Sequence, residues 1–246
     1  MKTFSALLRS LFSLAVMLCA TCVLSAQDPA AVPPQESREA AHIVSVNDLN
    51  VPAAAQKEFE KGRNLFLKKH KDAESIESLR KAIRLAPSFS LAHFLLGSIY
   101  MESARWGEAE PELRTAIWLN DKSGSTYLAL GSCLFKQGRF AEAEQTLLRG
   151  NELSPNIPQG NYELARTYLA LGRFQEAEPM ARKSVMLNAS FPDGHLALGF
   201  ALLRLQKNQE AFDELQTFLR LAPDSLDAQQ ARSVMNGLAQ VLTTMH

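Results

Sequence analysis

Histidine, cysteine and acidic side chains are the groups through which this chain could bind a metal, move protons or attack an electrophile. The five histidines, His42, His70, His93, His195 and His246, are scattered, and a metal site needs ligands that converge. The three cysteines are Cys19, Cys22 and Cys133. Cys133 sits in LALGSCLF, an apolar helical pattern, where a free cysteine behaves as a small hydrophobe. No GxxxxGK[ST], GxGxxG after a strand, GxSxG or HExxH occurs in the chain. The glutamates follow helix starts and outer helix faces and form no isolated buried pair suited to acid–base work. The basic run KKHK (68–71) has no interleaved aromatic and reads as a solvated turn. These residues predict no catalytic group, no metal site and no cofactor.

The formal net charge is zero, so no strong field steers the chain to nucleic acid or to an anionic membrane. Lys2 and Arg9 make a positive start, followed by an apolar run from Leu11 to Leu24. That run is shorter than the ~20 residues of a spanning helix. Small residues Ser25 and Ala26 follow it, then a polar stretch containing proline. This order of parts predicts a secretory signal peptide (1–26) cut after Ala26, with an uncleaved N-terminal anchor as the alternative. Cutting there leaves Cys133 alone, so no internal disulfide is expected even in an oxidising compartment. Residues 27–54 are rich in Pro and Ala and read as a flexible tether. Within them HIVSVNDLNVP (42–52) could form a short strand or pack on the first helix.

From residue 55 onward the chain repeats itself. The phrase G-R-F-x-E-A-E at 138–144 returns at 172–178. Gly62, Gly97, Gly131, Ala165 and Gly199 fall at steps of 35, 34, 34 and 34. Ser75, Ala109, Ala143, Ala177 and Ala211 form a second row at a step of 34, and Pro87, Asp121, Pro155, Ala189 and Pro223 a third. A fixed period of this size is the signature of a repeat array. In 90–104 and 107–120 the apolar residues recur at three and four spacing, so each unit predicts two helices. A glycine inside a helix costs about 0.8–1.0 kcal/mol relative to alanine, so its return marks a close approach. The expectation is that the glycine row faces the small row around Ala109. Gly138 and Gly172 take the turn, and Trp106, Phe140 and Phe174 fill the gap between helices. Glu108, Glu142 and Glu176 sit in first turns, where they suit the helix dipole. In the fifth unit QKN (206–208) replaces GRF, which predicts a looser turn. His93 and His195 hold equivalent places in units two and five, with Tyr127 there in unit three, which favours packing over ligation.

The pattern resembles the tetratricopeptide repeat (TPR) family, exported bacterial type. The likeness rests on Leu96, Gly97 and Tyr100, on Ala109, Leu113 and Ala116, and on Ala143, Leu147 and Gly150. It covers about 55–225 as five units (55–89, 90–123, 124–157, 158–191 and 192–225), with 226–246 as a capping helix and tail. It implies an all-α, right-handed helical-hairpin solenoid whose first helices line a concave groove. Carried over position by position, the groove residues are Phe59, Arg63 and Phe66; Phe94, Ser98 and Met101; Leu128, Ser132 and Phe135; Tyr162, Arg166 and Leu169; and Leu196, Phe200 and Leu203. Some of these could pack instead on neighbouring first helices or on the cap. As a set, a contiguous apolar stripe marks a partner site, and Arg63 and Arg166 could hold carboxylates at its edges. The Lys and Asn that grip a C-terminal carboxylate in some TPR proteins are replaced here by Phe, Ser and Arg, so that activity is not carried over. The expected function is a scaffold or adaptor in the bacterial cell envelope, periplasmic or envelope-associated, binding a helix or extended segment of another envelope protein. The alternatives are a recruiting module of an enzyme or transport complex and a self-associating homo-oligomer. No nucleic-acid partner is expected, and membrane association only through a partner or an uncleaved signal.

Overall fold

The computed structural model describes residue 48 and residues 50–69 and 71–244. The signal segment, Cys19, Cys22, His42, His70 and His246 lie outside the described residues, as does most of the tether. Among the described residues there are eleven helices and no strand. They are α1 (Ala53–Lys69), α2 (Asp72–Leu85), α3 (Ser90–Glu102), α4 (Trp106–Leu119), α5 (Gly124–Lys136), α6 (Phe140–Leu153), α7 (Pro158–Ala170), α8 (Phe174–Leu187), α9 (Pro192–Arg204), α10 (Asn208–Leu221) and α11 (Ala228–Thr244). The protein is all-α, with adjacent helix pairs packed as in a TPR solenoid. The chain divides into two compact units, one ending at Gln137 and one starting at Gly138. In the first unit α1 pairs with α2 and α3 with α4, while α1 touches α3 and α3 touches α5. In the second, α7 pairs with α8 and α9 with α10, α7 touches α9, and α11 packs on α10. None of the described helices is long and apolar enough to cross a membrane.

Helix starts follow local chemistry. Pro158 and Pro192 open α7 and α9, where a missing N–H costs nothing. Ser123 caps α5 and accepts from the Thr126 N–H. The start of α3 is capped from a distance. The buried Asp48 carboxylate accepts from the Ser90 N–H (2.8 Å) and the Ser90 hydroxyl (2.5 Å), placing a negative charge at the positive helix end. Here the segment ahead of α1 is tied to the third helix.

The glycine row packs differently from the expected small-on-small contact. A Cβ at Gly97 would lie 2.8 Å from Leu113 Cγ, one at Gly199 2.8 Å from Leu215 Cγ, and one at Gly62 2.9 Å from Leu79 Cγ. The glycine therefore makes room for a leucine of the second helix, and the alanine row contributes only its backbone, as with Ala109 O at 3.3 Å. Leu79, Leu113 and Leu215 are fully buried. Ala165, the departure in this row, has Ala181 at the same offset of sixteen residues that separates Gly97 from Leu113 and Gly199 from Leu215. The extra methyl on one helix is matched by a smaller residue on the other, and both alanines are fully buried.

The turn between paired helices recurs along the chain. Ala104, Gly138, Gly172 and Gln206 all take positive φ, at 56°, 78°, 74° and 61°. After Ala104, Gly172 and Gln206 the next residue bonds back across the turn: Arg105 N–H to Tyr100 O (2.8 Å), Arg173 N–H to Tyr168 O (2.9 Å) and Lys207 N–H to Leu202 O (2.9 Å). The preceding N–H bonds to Met101, Leu169 and Leu203 in turn. This is the Schellman closure of a helix. The QKN turn is thus as tightly bonded as its neighbours, and Gln206 bears the left-handed conformation that glycine takes elsewhere. Trp106, Phe140 and Phe174 are each half-buried at the start of the second helix. A side chain in the left-handed region costs about 1–2 kcal/mol, and glycine gives part of that back as unfolded-chain entropy. Gln206→Gly is expected to stabilise the protein by about 0.5–1 kcal/mol, read as a higher urea midpoint at unchanged slope. A lower midpoint would contradict this reading of the turn.

Candidate binding face

The first helices present residues at three recurring places, and the structure separates them by exposure. In the first unit Phe59 is buried, with its ring 4.8 Å from that of Phe89 at the start of α3. Phe66 has no exposed surface, and Met101, Leu128 and Ser98 are buried. The Ser98 hydroxyl donates to Phe94 O (2.8 Å). Phe94, Ser132, Phe135 and Arg63 stay half-buried, and Arg63 pairs with Glu60 at 2.5 Å.

In the second unit Tyr162 repeats the role of Phe59. It is buried, with its ring edge-on to Phe191 at 5.6 Å. Burial pushes its phenol well above the usual range. Arg166 lies over that ring at 5.4 Å and pairs with the buried Glu163 at 2.5 Å, which also accepts from Gln159 Nε2 (2.8 Å). Burial, with the Glu163 and Asp227 carboxylates nearby, raises Asp193 to about 6. Leu196 is buried, while Leu169, Phe200 and Leu203 are partly exposed. Leu169 and Phe200 line an open depression of about 550 Å³ together with Ala170, Gly172, Phe174, Arg204 and Gln230. Position-by-position transfer missed Arg204 and Gln230. For Arg204 a signal existed: neither Phe200 nor Ala201, one turn back on α9, is an acid. Gln230 carried none, since its place depends on how α11 docks.

Comparison with known proteins bears on this geometry. The tetratricopeptide repeat family model matches residues 64–123, 96–156 and 162–225, more than half of the chain. The protein belongs to the tetratricopeptide repeat family. No curated protein matches it. Among solved structures it is similar to MamA, with 20% identity over 72% of this chain and 94% of that one, at a TM-score of 0.60. It is also similar to TTC0263, a thermophilic TPR protein of Thermus thermophilus (18% identity, 74% and 99% covered, TM-score 0.59). YrrB, a TPR protein with an unusual peptide-binding site, is similar at 19% identity over 73% of this chain and 92% of that one, with TM-score 0.59. At these identities the likeness is one of fold, and the fold is one suited to protein–protein interaction.

The buried histidines have a structural task. His93 Nδ1 lies 2.6 Å from Glu112 Oε2 and its Nε2 lies 3.2 Å from Pro87 O. His195 repeats this with Glu214 (2.6 Å) and Ala189 O (3.0 Å). Each ties the two helices of its hairpin and the preceding loop. No group of three or more His, Cys, Asp or Glu suited to a metal occurs among the described residues. Cys133 is buried, and its thiol lies 3.5 Å from Trp106 O. Both acceptors around His195 favour the doubly protonated ring, and the Glu214 hydrogen bond holds its pKa above the ordinary value despite burial. A raised folded pKa stabilises the fold fully below the unfolded value near 6.5, and the gain is lost as pH rises through the folded pKa. Glu214→Gln is therefore expected to cost more stability at pH 5.5 than at pH 9, measured by urea unfolding at both. A cost that is the same at both pH values would show that His195 is held neutral.

Proposed function

We propose that this protein is an exported adaptor that binds a segment of another cell-envelope protein along the first-helix face of its repeats. The observation that carries this is the retention of large, partly exposed apolar groups on that face within each unit: Phe94 and Phe135 in one, Leu169, Phe200 and Leu203 in the other. Buried residues of the same first helices accompany them, Phe59 and Phe66 in one unit and Tyr162 in the other. An apolar first-helix face is suited to a helix or an extended segment. YrrB, similar in fold, carries a peptide-binding site, which supports the same use of the repeat here. Export is supported by the basic start, apolar run and small residues of positions 1–26, and an exported adaptor meets its partner in the envelope. Scaffolding without catalysis agrees with the tasks found for His93, His195 and Cys133.

Cross-linking and capture of the tagged full-length protein from the envelope fraction tests the reading, with Phe94→Ala/Phe135→Ala beside it. The expected result is one enriched protein whose recovery falls about tenfold or more in the double variant, as aromatic anchors worth about 2 kcal/mol or more require. Helicity and melting should stay close to the parent. Recovery unchanged in the variant would contradict the assignment of this face. Cross-linking of the chain only to itself would replace the adaptor by a self-associating protein.

A further inference from the structure

Arg204 is set apart from the arginines around it. In the second unit Arg139, Arg149, Arg166, Arg173 and Arg182 each hold a glutamate three or four residues away. Arg204, exposed at the end of α9, holds no carboxylate among the described residues, as is also the case for Arg220 and Arg232. Its guanidinium lies instead over the Phe174 ring, 4.6 Å from the centroid. A guanidinium over a ring face is weakly hydrated and can still donate from its N–H groups. Those groups suit the two oxygens of a carboxylate. Arg204 borders the depression of about 550 Å³, a volume within the ordinary range of ligand sites. Leu169, Phe174 and Phe200 give its apolar wall, and Gln230 adds an amide from α11. Space stays open at Gly172, where a Cβ would meet nothing within 4 Å.

We propose that this depression takes a linear peptide segment carrying a large apolar side chain next to an acidic one. The apolar group lies against Leu169, Phe174 and Phe200, and the carboxylate is received by Arg204 with Gln230 beside it. The charge is complementary because Arg204 is the cation here that no glutamate among the described residues neutralises. The acid is a side chain within the segment, since the partly exposed Leu203 and Arg166 extend the same helix faces past the depression and the occupant runs on over them. This assignment rests on the first-helix face being the interaction face.

The test is an NMR titration of the ¹⁵N-labelled full chain with Ac-Ser-Phe-Glu-Ser-NH₂, its Gln and Lys analogues, and Ac-Ser-Ser-Phe with a free carboxylate. The Glu peptide should shift the Gly172 amide and the Gln230 side-chain amide. It should bind about fivefold or more tightly than the Gln analogue, as a partly exposed charge-assisted hydrogen bond supports. Arg204→Gln should abolish that preference and Arg204→Glu should turn it towards the Lys analogue, with unchanged circular dichroism because Arg204 is exposed. Equal affinity for the Glu and Gln peptides, shifts that avoid Gly172 and Gln230, or tighter binding of the free-carboxylate peptide would overturn the assignment. Capture of a partner that depends on Phe94 and Phe135, together with no Glu preference, would sink this assignment alone. Failure of both would sink the face as well.

Discussion

In three hairpins a leucine of the second helix occupies the space that a Cβ would need on the first. Gly62 with Leu79, Gly97 with Leu113 and Gly199 with Leu215 bring the helices of a hairpin so close that one methyl group has no room. Glycine at a helix centre is otherwise a cost of about 1 kcal/mol. Burying a whole leucine offsets it, since truncating such a side chain costs about 2–5 kcal/mol. The tight pairing has a second effect. It turns one side of each first helix into the hairpin core and leaves the other side to meet the neighbouring first helix or a ligand. The interaction face is what remains after the glycine–leucine contact has set the pairing.

Charge placement then finishes the joints between hairpins. In the second unit Arg173 pairs with Glu176 in its own hairpin and with Glu144 of the helix before it, the latter at 2.7–2.8 Å. Lys207 repeats the reach to Glu178 at 2.8 Å, and Arg182 joins Glu178 to Glu210. Their cations are exposed while Glu144 and Glu178 are mostly covered, and their effect is to fix register between hairpins. Their regularity is what makes Arg204 informative. Arg204 is left without an acid by the repeat pattern, lies over Phe174 at the start of α8 and stands beside an apolar depression.

Much of this is legible in the sequence, because the period of 34 residues acts as an internal alignment. The helix pairs, the glycine row, the turn at Gly138 and Gly172 and the equivalence of His93 with His195 all follow from it. What periodicity does not encode is the direction of a side chain across a contact. Periodicity therefore points glycine at alanine, whereas it lies against leucine. Composition alone makes Gln206 loosen its turn, although the backbone bonds of a helix end can hold a non-glycine residue at positive φ. Asp48 capping α3 joins residues 42 apart through a segment outside the repeat, where no period helps. Exposure along the first helices is equally hidden. Whether Phe66 or Phe135 keeps surface depends on which neighbour lies over it, and identical repeat positions differ in that respect.

Helix pairing is governed by a complementary glycine–leucine volume, and the fourth repeat allows this to be tested. Ala165→Gly, Ala181→Leu and the double variant would be compared by urea unfolding. Ala181→Leu alone is expected to cost about 1–3 kcal/mol by overpacking against the Ala165 methyl. The double variant, which restores the pairing of Gly97 with Leu113, should recover most of that loss. Costs that simply add, with the double variant no more stable than Ala181→Leu alone, would contradict it.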